Sequence, residues 1–173
     1  MQVLPKHIKD KTEQALFIKN FIFGVEDSLV STSGLISGIA AAQSSKSVIF
    51  LTGTILIFVE AFSMGVGSYL SEEFAEDYTK LNRPKLHLSL ISGLIMFLSY
   101  FISGFLPLVP YLFFEIKTAL FISITASLLA LFLLGAISAK FWHVSILKHG
   151  LKMLIIGGLA ILIGIIIGNI FHA

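Results

Sequence analysis

Three acids stand where acids are rarely found. Glu26 and Asp27 lie within the apolar stretch FIFGVEDSLVSTSGLISGIA, and Glu60 lies within ILIFVEAFSMGVGSYL, four residues before Met64. Glu60 and Met64 therefore share one helix face. Ser63, Gly67 and Ser71 fall within about 60° of that face, which makes a polar stripe. Carboxylates alone suit hard cations such as Mg2+ or Ca2+, whereas a thioether adds softness and tilts selection toward late first-row metals. The same carboxylates can exchange protons, because burial in an apolar medium disfavours their charged form. Asp27, Glu60 and Met64, with Glu26 beside them, read as a site where a divalent cation and protons compete. The alternative is structural: acids locked to hydroxyls, with Met64 as packing. Each carboxylate at the centre of a membrane helix costs about 2.5–3.5 kcal/mol, and none has a basic residue at its depth in any span, which favours function.

The elements that hold these residues follow from composition. The chain has 173 residues, of which 56% are hydrophobic and only 13% charged, against about 25% charged in a soluble domain. Its mean hydropathy is +0.94. A soluble domain of this size leaves about 30% of its unfolded surface exposed, too much for such a composition. Helices of about 20 residues in a bilayer absorb it. The expectation is an all-α integral membrane protein with five transmembrane helices, near 20–43, 46–70, 88–109, 117–139 and 150–171. They form a single domain, 20–171, after a polar cytoplasmic segment, 1–19. Gln43-Ser-Ser-Lys46 makes the first turn, Arg83-Pro84 stops the second connection, and Pro107 and Pro110 close the third span. Phe141-Trp142 suits the interface before the last span.

Five spans put Lys6, Lys9, Lys11, Lys19, Lys80, Arg83, Lys85, Lys140, Lys148 and Lys152 on one side, ten of the twelve basic residues, and leave Lys46 and Lys117 on the other. Basic residues concentrate on cytoplasmic loops, so the N-terminus is cytoplasmic and the C-terminus is not. At 1.5 Å per residue Asp27 then lies roughly 10 Å, Met64 roughly 9 Å and Glu60 roughly 15 Å from the inner surface.

Other signals are weaker or negative. Glu72, Glu73, Glu76 and Asp77 form an acidic cluster just inside the membrane. It reads either as a cytoplasmic funnel for metal or as a solvated helix end, since on a straight helix Glu72 and Glu76 turn about 120° and 160° from the Glu60 face. Gly34-x-x-x-Gly38 and Gly164-x-x-x-Gly168 permit close helix approach, within one subunit or between two. The five histidines show no helical ligand pair, there is no cysteine, and a net charge of +2 gives no reason to expect nucleic acid. No cleavable signal peptide, phosphate loop or hydrolase motif is evident, so no enzyme and no permanently bound cofactor are expected.

At these residues the sequence resembles a known family. The Gly24-x-x-Asp27 segment of span one, the Ser63-Met64-x-x-Gly67 segment of span two, and FLSYFISGFLPLVPYL, LFLLGAISAKF and LKMLIIGGLAILIGIIIGN resemble the vacuolar iron transporters, over about residues 18–171. The resemblance implies a five-span homodimer that exports ferrous iron, in some members manganese, from the cytosol in exchange for protons. It also implies a path through the positions of Asp27 and Met64. The membrane would be the cell membrane in a prokaryote and the vacuolar membrane in a eukaryote. Three departures stand out. Ser28 replaces the glycine usual after the aspartate, Ser68 stands where glutamate is frequent, and only about 17 residues replace the cytoplasmic metal-binding domain between spans two and three. Glu60 is a candidate for the missing carboxylate. The rival readings are a transporter or channel for another divalent cation, and a non-transport membrane assembly protein.

Overall fold

The computed structural model describes residues 6–78, 86–142 and 144–172. Six helices follow in order: α1 (Lys6–Ala41), α2 (Lys46–Tyr78), α3 (Leu86–Leu108), α4 (Pro110–Phe113), α5 (Ile116–Phe141) and α6 (Ile146–His172). No strand occurs among the described residues. Lys46–Ala75, His87–Phe113, Ile116–Phe141 and Ile146–Phe171 are each long and apolar enough to cross a membrane. The chain is a helical membrane protein. α1 is not one of those four, because two acids and Ser28, Ser31, Thr32, Ser33 and Ser37 dilute its apolar residues.

A polar helix can sit in such a bundle only if protein covers it. α1 packs against α2, α3, α5 and α6, and Ser28, Thr32, Ser33 and Ser37 are fully buried. The long helices alternate in direction along the chain, so α1 runs parallel to its neighbours α3 and α6. Along α2 and α3, Gly53 meets Leu108, Ile57 meets Gly104 and Gly65 meets Gly93, in descending order. Along α1 and α6, Gly34 meets Gly164 and Gly38 meets Gly168, in ascending order. The starts of α1, α3 and α6 and the ends of α2 and α5 thus share one end of the bundle.

Boundaries differ from the expected ones mainly at that end. Residues 6–19 continue α1 instead of standing apart as a separate segment, α2 runs on to Tyr78, and α6 begins at Ile146. A helix of 36 residues, like α1, is roughly 54 Å long and outruns a hydrocarbon core of about 30 Å. The Gln43 turn is as expected: Gln43 takes φ 55°, and Ser44 N–H closes on the Ile39 carbonyl at 3.4 Å. Pro107 does not stop α3 but lies inside it, buried, while its carbonyl accepts the Ser123 hydroxyl at 2.8 Å. Arg83-Pro84, Lys80 and Lys85 lie outside the described residues.

The glycine patterns are spent within the chain. A Cβ on Gly38 would meet the Gly164 carbonyl at 2.7 Å, and one on Gly164 or Gly168 would strike the carbonyl of Gly34 or Gly38. The two motifs therefore bring α1 onto α6, so the reading of them as a subunit contact is set aside. A tight apolar core of Ile36, Ile49, Ile57, Leu108, Tyr111 and Ala119 fills the end where α1 finishes and reaches to within one turn of Glu60.

Candidate metal site

Glycine sets the spacing around the acids. At Gly24, three residues before Asp27, a Cβ would strike the Ser99 hydroxyl and meet the Met96 carbonyl at 3.0 Å, so α3 lies hard against α1. At Gly65, next to Met64, a Cβ would meet Phe97 at 2.9 Å and the Gly93 carbonyl at 3.1 Å, so α3 lies equally close to α2. Phe58, Phe97, Phe101 and Phe105 seal the α2–α3 seam, with ring centroids 5.0 to 5.7 Å apart along the chain of contacts.

Between these seams the structure brings Asp27 and Glu60 together. Asp27 is half-buried and feels the charge of Glu60, and its own charge reaches the Tyr100 phenol. Glu60 is half-buried and accepts a hydrogen bond from Tyr100 Oη at Oε2, 2.8 Å away. Tyr100 Oη also lies 2.7 Å from Ser31 Oγ, one turn along α1 from Asp27. Met64, one turn from Glu60 on the same α2 face, is half-buried too. Glu26 is half-buried but interacts with Lys152 of α6 as well as with Asp27, so it borders the site on the α6 side. Among the described residues no three acidic or histidine side chains converge into a preformed cage. The arrangement is two nearby carboxylates on α1 and α2, joined through Ser31 and Tyr100, with the Met64 thioether one turn along α2.

The acidic cluster is not brought to this level. Glu72 lies twelve residues beyond Glu60 on the unbroken α2, roughly 18 Å along its axis. Glu72 and Glu73 are half-buried and Asp77 is exposed; the side chain of Glu76 lies outside the described residues. Tyr69 Oη donates to Glu73 Oε1 at 3.2 Å. The sequence reading missed Tyr100 and gave Ser28 only as a departure. A lone tyrosine in the middle of an apolar span is the signal that could have found it, since a buried phenol needs a partner.

The sequence model of the VIT family matches residues 18–90 and 79–169, nearly all of these helices. The chain belongs to the VIT family. It is 28% identical over 158 residues to an uncharacterized protein of Methanocaldococcus jannaschii, 81% of this chain and 82% of that one. It is 25% identical over 165 residues to vacuolar iron transporter homolog 3 of Arabidopsis thaliana, 89% of this chain and 82% of that one. With vacuolar iron transporter cccA of Arthroderma benhamiae the identity is 35% over 92 residues, 48% of this chain and 33% of that one. Gly24 and Asp27, which carry the resemblance in the first span, also shape the site, whereas on α2 the close approach falls at Gly65, inside the Ser63-Met64-x-x-Gly67 segment.

Proposed function

We propose that this protein is a secondary transporter that exports ferrous iron or manganese from the cytosol in exchange for protons. The observation that carries the proposal is that Asp27 of α1 and Glu60 of α2 are brought near one another through Ser31 and Tyr100 within the apolar bundle, in a chain of the VIT family. Two nearby carboxylates in an apolar bundle are stabilised by a divalent cation between them, and protons relieve their repulsion when the cation leaves. Met64 adds a soft ligand that favours iron over magnesium or calcium. Glu26 serves as a proton or metal ligand at the edge. The relatives named as vacuolar iron transporters support the substrate class.

The proposal includes five crossings with a cytoplasmic N-terminus, and a homodimer. On α2, Ser63, Gly67 and Ser71 are exposed beside half-buried Glu60 and Met64, and a Cβ on Gly67 would meet nothing within 4 Å. A polar stripe of this kind cannot face lipid without cost, so a second subunit or a water-filled path covers it. The membrane is the cell membrane in a prokaryote and the vacuolar membrane in a eukaryote.

Uptake of Fe2+ into proteoliposomes tests this. An acidic lumen should accelerate uptake by the unsubstituted protein, and Asp27→Asn and Glu60→Gln should each lower it at least about ten-fold. Full uptake in both variants would sink the site, and indifference to the pH gradient would remove proton exchange.

A further inference from the structure

The Tyr100 ring is wholly buried in the middle of α3, and its hydroxyl is used twice. The phenol donates its proton to Glu60 Oε2 on α2 at 2.8 Å. With that proton committed, its oxygen accepts from Ser31 Oγ on α1 at 2.7 Å. The backbone of the same residue is fastened as well: Ser28 Oγ donates to the Tyr100 carbonyl at 2.7 Å. Gly104 makes room for that bond, since a Cβ there would meet Ser28 Oγ at 2.9 Å. α1 and α2 share a smaller interface with each other than either shares with α3. At the level of the acids, α3 sets how α1 and α2 face one another, and it does so through Tyr100.

We propose that Tyr100 is the positioning residue of the cation path: fastened by Ser28 and Ser31, its phenol holds one oxygen of Glu60 and keeps the other turned to a cation shared with Asp27. This rests on the transporter reading above. Among the described residues no side-chain hydrogen bond reaches Glu60 Oε1. An ionised carboxylate has about four acceptor sites, so a cation can bind while the phenol stays in place. A free glutamate would have to give up its rotamer freedom when the cation arrives; one already held by a charge-assisted hydrogen bond does not. Tyr100 itself touches no cation and acts through Glu60. Ser28, the departure from the family's glycine, gains a task in this arrangement, because a glycine there could not hold the Tyr100 carbonyl.

The test is Fe2+ transport kinetics in proteoliposomes for Tyr100→Phe, Ser31→Ala, Glu60→Ala and the double variant Tyr100→Phe/Glu60→Ala. Phenylalanine keeps the ring and removes only the hydroxyl. Tyr100→Phe should raise KM roughly ten-fold, as expected for a lost hydrogen bond to a charged group, with the maximal rate within about two-fold. Ser31→Ala should raise KM roughly three-fold, and it keeps the proposal testable should Tyr100→Phe fail to give monodisperse protein. The double variant should be no worse than Glu60→Ala alone, because the phenol then has nothing to position. A double variant about ten-fold worse than Glu60→Ala would show a merely structural tyrosine and overturn the proposal. If the unsubstituted protein transports and Glu60→Ala impairs it, while Tyr100→Phe and Ser31→Ala leave KM unchanged, the positioning role alone is overturned. A protein that moves no metal overturns this proposal together with the transporter reading.

Discussion

At the residue scale, neighbours in sequence are separated by direction. Glu26 and Asp27 are adjacent, yet Asp27 feels Glu60 of α2, whereas Glu26 feels Asp27 first and then Lys152 of α6. Glu26→Gln should therefore lower Fe2+ uptake less than Asp27→Asn does, by about three-fold against at least about ten-fold; equal losses would place Glu26 inside the site. Met64 admits a sharper experiment. Met64→Leu keeps the volume and removes only the sulfur. It should raise KM for Fe2+ or Co2+ roughly ten-fold while altering KM for Mn2+ less, as measured by competition transport. A uniform change across the metals would reduce Met64 to packing. The acids and the thioether were legible in the sequence because each breaks an apolar pattern. Tyr100 gives a weaker signal: a phenol in an apolar span needs a partner, but the sequence does not say which, since its partners are 69 and 40 residues away.

At the element scale, glycine decides which helices touch. The spacing of Gly34, Gly38, Gly164 and Gly168 told where close approach occurs but could not tell which helix approaches, since a small-residue stripe is the same for a neighbour in one chain and in two. In the structure it joins α1 to α6 backbone to backbone, so nothing flexible can yield to a larger side chain. Gly164→Val should cost more than about 2 kcal/mol of stability, seen as a lower unfolding temperature in detergent. Gly67→Ala should leave that temperature unchanged, because open space surrounds it in the single chain. The pair separates glycine kept for packing from glycine kept for something outside the subunit. Helix ends were the least legible element feature. Pro107 was expected to close α3, but a proline one residue from a helix end removes little, and Val109 N–H still reaches the Phe105 carbonyl at 2.9 Å. Residues 6–19 were read as a separate polar segment because periodicity in the apolar part says nothing about how far a helix continues into water.

At the scale of the whole molecule, the acids lie beside the packed apolar core, toward the end where α1 starts, and the charge distribution supports the proposed cytoplasmic N-terminus. Lys19, Lys140, Lys148 and Lys152 fall at the end where α1 and α6 start and α5 finishes, as do Glu72, Glu73 and Asp77 at the end of α2. Lys46, whose Nζ donates to the Leu112 carbonyl at 3.2 Å, and Lys117 mark the other end. Acidic residues carry little weight in setting orientation, so the α2 terminus does not cancel the basic bias. The natural chain has no cysteine, so a single introduced thiol reports one position without background. Ser47 and Asp77 are both exposed and sit at opposite ends of α2. With a membrane-impermeant maleimide, Ser47→Cys should label in intact cells, and Asp77→Cys should label only after the membrane is opened. The reverse pattern would invert the protein and turn export into uptake. Labelling of both from outside would mean that α2 does not cross, and Asp27 and Glu60 would then have no membrane to carry a cation through.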